Sequence, residues 1–308
     1  MEHFIITEQP ATIRMLAREA LRGRWKFAFL GVFIYNLALT VPFSVLLWFF
    51  DDAMAFIPLV YMLLVAGPLT LGLSMFVLSL SRNQDPQIAQ IFYGFERFGK
   101  SLGVFLIISL IVTLWSLIAL PAVVVVAFTE NFFLIPLIVV AMIPAVIAGI
   151  RYSQVFFILA DHPDMGVMEC VGRSKMLMTG NKMKYFVLQL TFIGWGILAG
   201  APSGVAEAFF PVAESGSLLM VLFLSIVPGL GVVLLTVYIF TSTAIFYDMA
   251  SGNLRPGCIV STAEIVEVEQ VPDMIQGSAE QDAGQNQESG GDDLAPENEQ
   301  KNELQRDS

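Results

Sequence analysis

The chain has 308 residues, of which 56% are hydrophobic and 14% charged, and its mean hydropathy is +0.72. A soluble domain carries about 25% charged residues and a disulfide scaffold needs more than two cysteines, so both classes are excluded, as is disorder along the whole length. The net charge of −11 sits at one end: residues 1–260 hold 14 basic and 14 acidic residues, whereas residues 261–308 hold 2 and 13. An apolar, neutral body with an acidic tail is what remains.

The first 25 residues read as an amphipathic cytoplasmic helix, with Arg14, Arg18 and Arg22 on one face against Ile13, Leu16, Ala20 and Leu21. Six stretches free of Asp, Glu, Lys and Arg follow, at 27–50, 53–81, 101–129, 131–150, 185–206 and 215–247. Each reaches the ~20 residues needed to cross a bilayer, and a lone strand leaves its backbone unsatisfied in lipid. The prediction is therefore an all-α, polytopic membrane helix bundle with six transmembrane helices within 26–250. Between the second and third spans, Ile88, Ile91, Phe92, Phe95 and Phe98 recur at steps of three and four. Before the fifth, Val167, Val171, Ser174 and Met178 do the same, beside Arg173 and Lys175. Such helices orient the neighbouring hairpins, or lie in the interface and sense lipid or dock a partner. Anionic lipid favours the basic ones by ~1 kcal/mol per cation. Residues 251–308 form an acidic cytoplasmic tail, disordered from 276 on. Its stretch 258–271 alternates, so it offers a strand to a partner or serves as a plain tether.

Orientation follows from Lys and Arg. Fifteen of the sixteen lie in the N-terminal segment, the loops after the second and fourth spans, or the tail; Arg151, the sixteenth, ends the fourth span on the same side. Both termini are thus expected in the cytoplasm. There Cys170 and Cys258 stay reduced, so no disulfide is expected. The first apolar run is 24 residues and starts after residue 26, which argues against a cleavable signal peptide.

Spacings recur along the chain. Gly23, Gly99 and Gly180 precede the odd-numbered spans, Pro42, Pro121 and Pro202 lie late in them, and Pro68, Pro144 and Pro228 lie within the even ones. The offsets are 76, 79 and 76 residues, then 81, 81 and 84, and Asp85, Asp161 and Asp248 close the even spans. The pattern predicts three repeated units, each a short cytoplasmic helix followed by a membrane hairpin.

Four motifs carry a resemblance. They are the run from Ser174-Lys-Met-Leu-Met-Thr-Gly180 through Asn181 to Gly194-Trp195, Gly67-Pro-Leu-Thr-Leu-Gly72, Phe92-Tyr-Gly-Phe-Glu-Arg-Phe98, and Arg18-Glu-Ala-Leu-Arg-Gly-Arg-Trp25. Taken in their order along the chain, they resemble a bacterial integral membrane family catalogued as domain of unknown function 975, common in Gram-positive bacteria. The resemblance covers about residues 11–250. It implies a six-span bacterial plasma-membrane protein and no assigned reaction, and the tail lies outside it.

Catalytic chemistry finds little footing. The only histidines are His3 and His162, both cytoplasmic, so Ser203 in its Pro-Ser-Gly turn has no base within the membrane. No H-e-x-x-H, phosphate-loop or dinucleotide fingerprint occurs, Asp248 lacks a partner for an aspartyl dyad, and clustered metal ligands are missing. No cofactor and no metal are expected. Arg151, Gln154 and Asp248 are the candidate polar residues of a cavity, with Glu207, Asn36 and Gln189 as lesser ones. Arg151 and Asp248 pair near the cytoplasmic face, or else Arg151 snorkels and Asp248 caps its helix. Pro68, Pro144 and Pro228 kink their helices, for packing or to build a substrate site. Gly196, Gly200 and Gly204 form a small-residue ridge that packs inside the bundle or between two copies. The expected function is that of a non-enzymatic accessory or scaffold protein at the cytoplasmic face. The alternative is a small-solute or lipid transporter using a kinked-helix cavity. Expected partners are membrane lipids and a protein bound through the cytoplasmic helices or the tail, with no nucleic acid.

Overall fold

The computed structural model describes residues 4–50, 54, 56–129, 131–209, 217–227 and 229–254. The expectations for His3, Pro228, Cys258, the 258–271 stretch and the acidic tail lie outside these residues.

Among the described residues all regular structure is helical. In chain order the helices are α1 (Pro10–Ala20), α2 (Trp25–Phe49), α3 (Phe56–Ser81), a 3-10 segment (Ile88–Phe95), α4 (Phe98–Ser116), α5 (Leu120–Thr129), α6 (Ile135–Tyr152), α7 (Val155–Asp161), α8 (Val167–Leu177), α9 (Lys182–Phe209), α10 (Leu218–Ile226) and α11 (Leu230–Ser251). Six stretches are long and apolar enough to cross a membrane: α2, α3, α4 running into α5, α6 running into α7, α9 and α11.

Local chemistry sets several of these boundaries. Pro10 opens α1, where its missing N–H costs no helical hydrogen bond. After α1 the chain turns at Gly23, with φ +76°, a left-handed conformation that glycine adopts without a Cβ clash. The fourth and sixth spans differ from expectation. The fourth does not end at Arg151. It turns at Ser153 and Gln154 and continues as α7, because Val155, Phe157, Ile158 and Leu159 are buried. The expected stretch 215–247 divides into α10 and α11 beside the sequence Pro228-Gly229, a helix-breaking pair, and α10 leans on α2.

The core sits at one end of the bundle. There the C-terminal half of α3, most of α7 and the C-terminal half of α11 are buried, from Phe76 and Leu80 through Ile158 to Tyr247. Three short elements surround them. The 3-10 segment packs on α3, α8 on α7, and α1 on α11. The last pairing joins the first helix of the chain to the last described one, so the short elements close a collar. On α1 the buried face is Ile13, Leu16, Ala17 and Leu21, opposite the arginines.

The 3-10 segment replaces an expected amphipathic α-helix. With three residues per turn, Ile91 and Gly94 stack on one side, and only these two are buried. Phe92, Tyr93 and Phe95 point outward instead of joining Ile91 on an apolar stripe. The cause is close backbone approach to α3. A Cβ on Gly72 would strike the Ile91 carbonyl oxygen, and a Cβ on Gly94 would strike that of Pro68 and stand 3.1 Å from the Gly72 nitrogen. Neighbouring Ser101 ties this corner down, its hydroxyl reaching the Gly94 carbonyl at 3.3 Å and that of Phe98 at 3.0 Å.

Of the two roles expected for the glycine ridge on α9, packing inside the bundle is not seen. A Cβ on Gly196 would stand 3.9 Å from Leu235, and among the described residues no other element comes within 4 Å of where a Cβ would stand on Gly200 or Gly204. The α9–α11 crossing uses Gly231 instead, whose Cβ position lies 3.0 Å from the Ala199 carbonyl oxygen. Pro68 and Pro144 lie inside continuous helices, as do Pro42 and Pro202.

Candidate functional site

The densest polar constellation among the described residues lies where the even-numbered spans end. Arg82, the first residue after α3, reaches Asp161 at the end of α7 and Asp248 near the end of α11. Its Nη1 donates to Asp161 Oδ1 at 2.7 Å and its Nη2 to Asp161 Oδ2 at 3.1 Å. Nη2 also donates to Asp248 Oδ1 at 2.7 Å, while Nε donates to both oxygens of Asp248 at 3.2 and 3.3 Å. One guanidinium thus spends its planar fork on two carboxylates, a geometry lysine cannot copy.

Three further groups complete the cluster. The Tyr247 hydroxyl donates to Asp161 Oδ2 at 3.1 Å, and Asn253 Nδ2 stands 3.4 Å from Asp161 Oδ2 and from Asp248 Oδ1. His162 Nε2 lies 3.9 Å from Asp161 Oδ2. The Asp248 side chain is only 4% exposed, so its charge depends on Arg82. Burial alone would lower the Arg82 pKa, but the hydrogen bonds from Asp161 and Asp248 outweigh it and hold the guanidinium above its ordinary value. Arg82 therefore stays cationic at every pH a cell reaches.

The expected cavity residues do not assemble. Asp248 belongs to the Arg82 cluster, so of the two readings offered above the Arg151–Asp248 pair gives way to Arg82–Asp248. Arg151 lies on α6 before the turn, where its carbonyl accepts from Ser174 Oγ at 3.0 Å and its Nε is buried without a hydrogen-bond partner. Gln154 is fully buried in the turn to α7 and donates to Ser153 Oγ at 3.1 Å. Asp85, expected to close α3, is exposed three residues beyond Arg82.

Sequence reasoning also passed over Asn181. It is fully buried between α8 and α9 and clasps the extended segment before α1. Its Oδ1 accepts from Ile6 N at 2.9 Å, and its Nδ2 donates to the carbonyls of Phe4 at 2.8 Å and Leu177 at 2.9 Å. Lys184 Nζ adds a bond to the Thr7 carbonyl at 3.0 Å, and Phe4 N donates to the Ala250 carbonyl at 3.1 Å. The start of the chain is thereby fastened to α9 and α11. Asn181→Ala strands two buried backbone groups and is expected to cost about 2–3 kcal/mol. Thermal unfolding and proteolysis of the first ten residues check this, and unchanged protection of that segment would contradict it.

The arrangement ties helix ends together. Every charged atom in the cluster is engaged, and among the described residues no group of His, Cys, Asp and Glu has the spacing of a metal site. Two cavities lie between the helices, of about 340 and 240 Å³, and share Ser153, Tyr185 and Gln189 in their walls.

Comparison with known proteins yields one finding. A family model described as "Protein of unknown function (DUF975)" matches residues 8–253. No curated protein and no solved structure matches.

Proposed function

The chain belongs to the DUF975 family of proteins of unknown function, and from that premise we propose that it is a non-enzymatic membrane scaffold whose collar faces the cytoplasm and holds a partner there. The observation that carries this reading is the Arg82 cluster, which fastens the ends of three spans to one another. It stands at the end of the bundle where Arg14, Arg97, Lys100, Arg173 and Lys184 gather, and such a bias marks a cytoplasmic face. A scaffold needs a stiff surface. An alternating-access transporter must part its helices at this end, against the cluster, the Asn181 clasp and the closed collar.

The collar also supports the threefold reading. The short element that opens each unit packs on the even span of the unit before it, and α1 packs on the last. The outward aromatics Phe92, Phe95 and Phe98 suit an interfacial or partner-facing surface.

The transporter reading keeps one observation in its favour. The cavity of about 240 Å³ is lined by Thr70, Ser74, Ser153, Tyr185, Gln189 and Thr243, a neutral polar set among spans. Such groups inside a bundle can mark a solute site.

The deciding experiment extracts the full chain from native membranes with its lipid and compares it with a chain ending at Val260 and with Phe92→Ser/Phe95→Ser. A stoichiometric protein partner lost in either variant is the expected result. A lone particle in all three, with a solute flux abolished by Gln189→Leu, would overturn the scaffold and establish transport.

A further inference from the structure

We propose that the cleft between α1, α9 and α11 binds one anionic phospholipid, its phosphate held by Arg14 and Arg18 and an acyl chain lying along α9 and α11. The inference rests on the bilayer placement above and on nothing else in the scaffold reading.

The cleft measures about 570 Å³, within the usual size of a ligand site. Its two ends differ in chemistry. At one end stand Arg14 and Arg18, one helical turn apart on the same face of α1. At the other, Leu198, Ala199, Leu234 and Leu235 form apolar walls. Trp25, Trp195 and Tyr238 lie between, the residue types that sit at the level of lipid headgroups.

The position of the arginines is built in. The opposite face of α1 buries Ile13, Leu16 and Ala17, and Tyr238 of α11 donates to the Arg14 carbonyl at 3.1 Å. Both arginines are thereby held at the wall of the cleft. No carboxylate lines it, and the Arg14 Nε is buried with no hydrogen-bond partner. Two cations, one with a buried and unspent donor, call for an anion. The planar fork of arginine matches phosphate oxygens.

The apolar half determines which phosphate. The close approach of Gly231 to the Ala199 carbonyl closes the floor, while Trp195 and Leu198 remain 60% and 67% exposed on the side of α9. From Gly231 to Tyr238 the wall runs seven residues, about 10 Å of helix, too long and too apolar for a free phosphate. An acyl chain entering sideways from the bilayer covers it. The charge count selects an anionic headgroup over a zwitterionic one, whose own cation would face Arg14 and Arg18.

The test reconstitutes the full chain in vesicles of equimolar phosphatidylglycerol and phosphatidylcholine, recovers it in mild detergent and counts retained phospholipid by native mass spectrometry. One retained phosphatidylglycerol is expected, preferred over phosphatidylcholine by about tenfold, equivalent to about 1.4 kcal/mol. Arg14→Gln/Arg18→Gln should bring the preference close to unity. Leu198→Trp fills the apolar half and should remove the lipid with both arginines intact. Equal retention of the two lipids by the unaltered chain would overturn the proposal. So would an unchanged preference in the arginine variant, or, should that variant fail to fold, undiminished retention in Leu198→Trp. Displacement of the lipid by excess inorganic phosphate alone would reassign the site to a soluble anion. Because the readout is bound lipid, it stands apart from whether a protein partner is found.

Discussion

Arg82→Ala is expected to cost about 3–5 kcal/mol, because it leaves the buried Asp248 beside the half-buried Asp161 with no cation bridging them. The measurement is the fraction of protein surviving as a single particle on size exclusion after stepwise heating. Arg82→Lys keeps the charge and loses the fork, since an ammonium cannot place donors on four carboxylate oxygens at once, so roughly half the loss should remain. Arg82→Met with Asp161→Asn and Asp248→Asn removes all three charges and should recover much of the stability, as neutral replacement of buried ion pairs often does. Two controls separate this cluster from its neighbours. Asp85→Asn, on an exposed side chain, should fall within about 0.5 kcal/mol of the parent. Exchanging charges as Arg151→Glu with Asp248→Arg should rescue nothing, because Arg151 is not the partner of Asp248. An Arg82→Ala protein as heat-resistant as the parent would end the argument for the cluster.

Gly72→Ala and Gly94→Ala should be the next most damaging single changes, at about 3 kcal/mol or more each. Each adds one methyl group where a backbone carbonyl of the facing element already stands, and neither backbone can retreat without separating the 3-10 segment from α3. Gly99→Ala and Gly149→Ala make the same chemical change in helices where nothing lies within 4 Å of the new Cβ. These should be neutral or stabilising by up to about 1 kcal/mol, the helix preference of alanine over glycine. The four variants heated side by side give the answer, and equal behaviour of the two pairs would refute the close contact.

Which parts were legible in the sequence follows from what each one depends on. Membrane-length helices declare themselves because hydrocarbon imposes length and apolarity residue by residue, and α2, α3 and α9 lie almost where composition puts them. The buried side of α1 was legible for the same reason, as a periodic stripe. The partner of Asp248 was not. Charges along a chain assign a side of the membrane but no direction around the bundle, so Arg82 read as one loop cation among several. A signal did exist: two aspartates closing two spans require a cation, and Arg82 abuts the end of a third. The 3-10 segment was misread because Ile91 and Phe95 suit α-helical spacing as well, and only the glycines at 72 and 94 hint that backbone must meet backbone. For Gly196, Gly200 and Gly204 one of the two expected roles, packing inside the bundle, is not met. Their spacing permits close packing, but Gly231 on the facing helix does that work. Asn181 gave no periodic signal at all, since two of its three partners are main-chain groups about 175 residues away.

The Asn181 clasp and the Arg82 cluster also impose an order of events on biosynthesis. A chain threaded into the bilayer from its first residue makes Arg82 long before either carboxylate that it serves, 79 residues ahead of Asp161 and 166 ahead of Asp248. At roughly 5–20 residues per second the second wait lasts roughly 8–30 s. The leading segment, Phe4 to Glu8, waits longer still, for its seat includes Ala250. Insertion of the early spans therefore cannot be the committing step. A ribosome stalled within α10 would hold an open ring, with an arginine that lacks its second carboxylate and an undocked leader, the state that quality-control proteases and insertion chaperones would meet. Only the emergence of α11 lets the nascent protein shut.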